Sequence, residues 1–259
     1  MAERLSRGEG TRPMALLETK QLSVHFGGVV AVDKLDMTVE RGEIVGLIGP
    51  NGAGKTTTLN LLSGYVLPSH GRLYFKEKDI TGLQPHEVAS LGLVRTFQKS
   101  AVFGGVSVLE NVVMATHLHF RPSLIDILTR NDRFRQMEKG TEDKAKELLC
   151  FFGLWDKRDH IANHLSYGER RLLELAVCLA PGPAQVLLDE PAAGMNPEES
   201  AHLARLIRDL RKAGLTILLV EHHMDLIMSV SDRIVVLNHG VKIAEGEPCE
   251  VQRNKDVID

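Results

Sequence analysis

Residues 49–58 read GPNGAGKTTT and fit the spacing G-x-x-x-x-G-K-[ST]. The apolar run EIVGLIG precedes them and a helical pattern follows, so the segment joins a strand to a helix. A polyphosphate requires several inward-pointing N–H groups and a cation, and this stretch supplies both. Gly49, Pro50, Asn51, Gly52, Ala53 and Gly54 form a loop that can curl around phosphates, and the helix dipole adds positive potential. Lys55 reaches the β- and γ-phosphates, the Thr56 hydroxyl ligates Mg²⁺, and Thr57 is a further candidate phosphate donor. An ordinary glycine turn would leave the lysine and the flanking strand and helix unexplained.

A second chemical signal is QVLLDE, residues 185–190, where a buried strand ends in two adjacent carboxylates. Neighbours on a strand point to opposite faces, but at its C-terminal end the backbone turns and both can face a ligand crevice. Such a pair is commonly a solvated corner. With a phosphate loop in the same sheet, Asp189 becomes the carboxylate on the Mg²⁺ side and Glu190 the base that orients an attacking water. A third stretch, LSYGERRLLELA, carries Ser166 and Glu169 at capping-box spacing. Gly168 sits inside that first turn, where glycine costs up to about 1 kcal/mol against alanine but permits close backbone approach.

The elements that must position these groups fall into two sets. LLETKQLSVHF, KLDMTVE and GRLYF alternate apolar with polar residues, as in an antiparallel sheet with one covered face. EIVGLIG, AQVLLDE, TILLVEH and RIVVLN are near-continuous apolar runs separated by helical segments, as in buried parallel strands. Between Ser107 and His164 the pattern turns helical, with a capping box at Ser107 and Glu110 and a shared face of Ala145, Leu148, Leu149 and Phe152. The fold expected is α/β, a P-loop NTPase core with a mainly parallel sheet, an antiparallel β flank and an inserted helical lobe. The 259 residues are expected to form one domain, with a core over 14–100 and 165–259 and the lobe over 101–164.

Composition limits what this fold can do. A formal charge of −3 gives no basic excess for a nucleic-acid backbone. The three cysteines, Cys150, Cys178 and Cys249, are far apart and argue against a zinc site or disulfide framework. No apolar run approaches the ~18 residues of a spanning helix. The charged start MAERLSRGEGTRP lacks the apolar core of a signal peptide, so a cytoplasmic chain that reaches membranes by docking is expected.

The order of motifs carries a family resemblance over nearly the whole chain. GPNGAGKTTT, Gln98 in RTFQ, LSYGE, LLDEP and His222 after TILLVE are arranged as in the ATP-binding subunits of ABC transporters, which the chain resembles. More narrowly, FGGVVAV, RTFQ, LSYGERR, EPAAGMNP and EHHMDLIMSVSDRI resemble the ATPase subunits of branched-chain amino-acid importers. The resemblance implies that Phe26 stacks on adenine with Val32 beside it. It implies that Gln98 senses Mg²⁺ and the attacking water and links the site to the membrane subunits. His222 would contact the γ-phosphate, with His223 a solvated neighbour. LSYGE stands where the family has L-S-G-G-Q, so Ser166 and Gly168 would meet the γ-phosphate of ATP held by an opposing subunit.

The chain departs from the family pattern in three places. Tyr167 replaces a glycine and Glu169 a glutamine; the ring is expected to point away from phosphate and the carboxylate to serve the cap. AGMN stands for S-A-L-D, so Asn196 replaces an aspartate, though Asn196, Pro197 and Glu199 also make a helix start. The function implied is an ATP-hydrolysing subunit of an importer using ATP and Mg²⁺, peripheral on the cytoplasmic side of the membrane. Its implied partners are two integral membrane permease subunits, a homologous ATPase or second copy, and an external substrate-binding protein. Phe103, Val106 and Val108 would lie near a permease groove, or form lobe core. Rival readings are an exporter ATPase for lipid or lipopolysaccharide, a soluble non-transport ABC-type ATPase, and a small-molecule kinase, which would not explain LSYGE.

Overall fold

In the computed structural model, which describes residues 15–96, 102–116, 132–254 and 257, the two sets of strands form two separate sheets. Strands β1 (Ala15–Phe26), β2 (Val29–Glu40), β4 (His70–Phe75) and β5 (Lys78–Asp79) pair antiparallel in the order β2-β1-β4-β5. The second sheet has the order β10-β9-β3-β8-β7-β6. It comprises β3 (Ile44–Ile48), β6 (Leu93–Arg95), β7 (Gln185–Asp189), β8 (Thr216–Val220), β9 (Arg233–Asn238) and β10 (Val241–Gly246). All its pairs are parallel except β10 on β9.

Every residue of β3, β7 and β8 is buried, which is why these runs read as continuously apolar. Side chains alternate between the two faces. Val45, Leu47, Leu187, Leu218 and Val220 join the core under the antiparallel sheet and helix α1 (Lys55–Leu62). Their neighbours Ile44, Ile48, Val186, Leu188, Ile217 and Leu219 join a second core with the remaining long helices. Those are α3 (Val108–Thr116), α4 (Asp132–Phe151), α5 (Tyr167–Leu179), α6 (Pro197–Lys212) and α7 (Met224–Val230). Two short helices, α2 (Pro85–Ser90) and α8 (Pro248–Val251), and two 3₁₀ turns, Trp155–Lys157 and Ala162–His164, complete the described elements.

Ala145, Leu149 and Phe152 are buried, with Leu148 at the edge of the same cluster, so the apolar face of α4 faces inward as its spacing predicts. The Ser107–Glu110 box closes: the Ser107 N–H donates to Glu110 Oε2 at 2.8 Å and the Glu110 N–H to Ser107 Oγ at 3.1 Å. Val108 is core, whereas Phe103 is 63% exposed, so those two residues do not share one surface.

Candidate functional site

β3 stops at Ile48 and α1 starts at Lys55, leaving residues 49–54 to turn the chain. Gly52 and Gly54 have φ of 81° and 100°, a region open to glycine but strained for other residues. A Cβ on Gly54 would fall 2.5 Å from the Ala31 carbonyl oxygen, so the loop closes against β2 only with glycine there. Lys55 is 6% exposed and its Nζ donates to the carbonyls of Gly49 at 2.7 Å and Pro50 at 2.9 Å. Burial lowers the Lys55 pKa, while the charges of Glu190 and Asp189 oppose that shift. The ammonium is thus held inside its own loop with carboxylates nearby.

The loop opens on a cleft of about 350 Å³. Asn51, Gly52, Gly54, Lys55, Thr56 and Thr57 line it together with Val29, Val30, Ala31, Glu190, His222 and His239. Phe26 is half-exposed and its backbone pairs with Val29, a lining residue, where β1 turns into β2; Phe26 itself is not among the residues that line the cleft. Val32 does not reach the cleft. It is fully buried, its Cγ2 packed 3.5 Å from where a Gly54 Cβ would be, and Val29, Val30 and Ala31 supply the apolar lining instead.

At the end of β7 the two carboxylates separate. Asp189 is buried, and its Oδ2 accepts from Arg95 Nη2 at 2.8 Å while Arg95 Nη1 donates to Asn60 Oδ1 at 2.6 Å. Asp189 Oδ1 is buried with no hydrogen-bond partner among the described residues. Glu190 follows at φ 49°, a left-handed conformation uncommon for a non-glycine residue, with its N–H donating to the Val220 carbonyl at 2.9 Å. That turn puts its side chain in the cleft, where Oε1 lies 2.8 Å from His222 Nε2. His223 instead precedes α7 and lines a separate hollow between α6 and α7. Among the described residues there is no group of three His, Cys, Asp or Glu side chains that could cage a metal. A Mg²⁺ that takes most of its ligands from phosphates and water fits a single carboxylate and the exposed Thr56 hydroxyl better than it would fit such a cage.

Arg95 escaped the sequence reading, which took RTFQ for its glutamine. Replacing one member of a buried ion pair leaves the other uncompensated, typically at a cost of about 3–5 kcal/mol. Arg95→Met is therefore expected to lower the unfolding free energy by about that amount at neutral pH. Denaturant unfolding checks this, and a loss under about 1 kcal/mol would show that Asp189 does not depend on Arg95.

Ser166 caps α5: the Glu169 N–H donates to Ser166 Oγ at 3.3 Å and the Ser166 N–H to Glu169 Oε2 at 3.0 Å. Lys157 also binds the Glu169 carboxylate, and this hydrogen bond is the main cause that lowers the Glu169 pKa. Glu169 therefore serves the cap, as expected. The Tyr167 ring is half-exposed, with Gly194 against its edge and the Arg171 guanidinium 5.7 Å from its centroid. Gly168 is buried, and a Cβ there would lie 2.5 Å from Glu199 Oε1. Within the chain, then, the space beside this glycine is taken by the carboxylate end of a side chain from the start of α6. Asn196 and Glu199 cap α6 reciprocally, at 2.9 Å in each direction.

A profile of the family described as ABC transporter matches residues 32–193 of this chain. The chain belongs to the ABC transporter family. It is 41% identical over 244 residues to the high-affinity branched-chain amino acid transport ATP-binding protein LivG of Salmonella typhimurium, covering 94% of this chain and 96% of that one. It is 40% identical over 244 residues to the corresponding BraF protein of Pseudomonas aeruginosa, with the same coverage of both chains. The crystal structure of a nucleotide-free ATP-binding cassette from an ABC transporter superposes with a TM-score of 0.82 at 31% identity, covering 95% of this chain and 98% of that one.

As an ABC transporter subunit the chain binds and hydrolyses ATP, and it works with membrane permeases. No helix among the described residues is long and apolar enough to cross a membrane. Of the family motifs, the structure brings the phosphate loop, Glu190 and His222 around one cleft and leaves LSYGE outside that cleft's lining. Gln98 lies outside the described residues. His239, at φ 45° in the turn between β9 and β10, lines the cleft without any sequence signal that distinguished it.

Proposed function

We propose that this chain is the ATP-hydrolysing subunit of an importer for branched-chain or related amino acids. The observation that carries the reading is the 41% identity, over 94% of the chain, to a branched-chain amino-acid transport ATP-binding protein. The chain acts as one ATP-binding domain, with 101–164 as its helical lobe. It sits on the cytoplasmic side of the membrane against two permease subunits, pairs with a homologous ATPase or a second copy, and serves an external substrate-binding protein.

In the hydrolytic reading, Phe26 stacks the adenine and the loop from Gly49 to Gly54 donates its N–H groups to the phosphates. Lys55 exchanges its two loop carbonyls for the β- and γ-phosphates, and Thr57 adds a donor. Thr56, Asp189 and Gln98 are the residues that would hold Mg²⁺, which would supply positive charge against the phosphates; the unpartnered Asp189 Oδ1 supports this. Glu190 orients the attacking water and accepts its proton, and His222 holds Glu190 and contacts the γ-phosphate. Positioning and charge neutralisation supply the catalysis.

Ser166 and the start of α5 bind the γ-phosphate held by the partner's loop. A side chain at Gly168 would also displace the Glu199 carboxylate that caps α6, so the discriminating change lies at Ser166. Aspartate caps a helix about as well as serine and suits the dipole, so Ser166→Asp is expected to keep folding stability. It also sets a second negative charge against the γ-phosphate, so hydrolysis by the assembled pair is expected to fall at least about tenfold. ATP affinity of the isolated chain should be unchanged. Normal hydrolysis by the assembly would reduce LSYGE to a helix cap.

The function itself is tested by uptake of labelled leucine in cells with and without a working copy of the chain. Lost leucine uptake is expected. Unchanged uptake of leucine, isoleucine and valine, with a defect in lipid or lipopolysaccharide export, would replace the importer by an exporter.

A further inference from the structure

We infer that Glu221 is a positioning residue for hydrolysis, a buried clamp that holds the loop of Glu190 and the loop of His222 in one geometry. Glu221 follows β8 and is 3% exposed, although a buried carboxylate is costly unless its oxygens are satisfied. Its Oε1 accepts the Ala192 N–H at 2.7 Å, two residues beyond Glu190. Its Oε2 accepts the His222 N–H at 3.0 Å, with the His223 N–H at 3.5 Å. One side chain therefore joins the backbones on both sides of the Glu190–His222 contact.

The strands alone do not hold that contact. β7 and β8 pair as far as Asp189 with Val220; Glu190, at φ 49°, makes the last backbone bond between them through its N–H to the Val220 carbonyl, and the two strands separate beyond it. Beyond that point the two catalytic side chains, Glu190 and His222, are 29% and 43% exposed, and a contact so open to solvent contributes little by itself. The buried carboxylate beneath them supplies charge-assisted hydrogen bonds, which are shorter and stronger than neutral ones. A two-oxygen acceptor is required, because a single hydroxyl or carbonyl would reach one loop and leave the other's N–H unpaired. The inference rests on the roles given above to Glu190 and His222. Displacement of a catalytic group by about 1 Å can cost about 10²-fold in rate, so a clamp of this kind acts on kcat.

The test compares Glu221→Gln, Glu221→Asp and Glu190→Gln in the full chain, assembled with its membrane partners for hydrolysis and alone for ATP binding and NMR. Glu221→Gln keeps the shape but turns an amide NH₂ toward one of the loop N–H groups, and Glu221→Asp keeps the charge but is too short to span both. Both are expected to lower kcat at least about tenfold with KM and ATP affinity nearly unchanged. In both, the His222 ring ¹⁵N signals are expected to lose the signature of an Nε2–H bonded to carboxylate. In the wild type, the Ala192 and His222 amides should exchange slowly, a measurement that does not depend on any variant folding. Wild-type kcat per folded molecule in Glu221→Gln, full rescue by Glu221→Asp, an unaltered His222 ring signal, or fast exchange at Ala192 would each overturn the clamp. Full activity in Glu190→Gln would instead remove the roles beneath it, and the clamp with them.

Discussion

Glu190→Gln is expected to bind ATP as tightly as the native chain and to hydrolyse it about 10²–10⁴-fold more slowly, the usual contribution of a positioned general base. The amide fills the same space and can still meet His222, so the left-handed turn at φ 49° and the cleft should persist. What it lacks is the capacity to accept the proton of the attacking water. The ATP-bound assembly should consequently accumulate with its two ATPase subunits closed on each other. Single-turnover hydrolysis alongside equilibrium ATP binding separates the two effects. A rate within a few-fold of wild type would take the base role from Glu190, and lost ATP binding would show that its carboxylate shapes the site instead.

Lys55→Ala is expected to do the reverse, removing ATP binding before hydrolysis can be measured. Each hydrogen bond from a charged group contributes about 1.5–3 kcal/mol, and Lys55 addresses two phosphates, so affinity should fall by about 10²–10⁴-fold. The fold should survive. Among the described residues the ammonium bonds only to the Gly49 and Pro50 carbonyls, and its burial already works against the charged form. Calorimetric ATP binding together with thermal unfolding checks both parts. Unchanged affinity would detach the loop from its phosphate role.

How far these sites were legible depended on whether their determinants were local in the chain. The phosphate loop was readable because strand, glycines, lysine and helix occur within a few residues, and the capping boxes at Ser107, Ser166 and Asn196 because both partners lie three apart. The buried strands were readable because β3, β7 and β8 are covered on both faces. Leu93–Arg95 is three residues long, and Val241–Gly246 is a half-exposed edge strand with polar residues, so neither carried a clear period. That Val32 is the valine of β2 buried beneath Gly54, with Val29 and Val30 left to line the cleft, cannot be read from its neighbourhood in the chain. Arg95 and Glu221 were missed for a related reason: their partners, Asp189 and Ala192, lie 94 and 29 residues away. Gly168 showed that a glycine permits close approach without naming the visitor, which inside this chain is Glu199.

The importer reading is tested most directly by ATP hydrolysis in vesicles that hold the chain with its permeases and binding protein, measured with and without leucine. Hydrolysis should rise with leucine and be matched by leucine entry, with both abolished in Glu190→Gln. Hydrolysis indifferent to leucine, isoleucine and valine, or leucine entry that persists in Glu190→Gln, would contradict that reading.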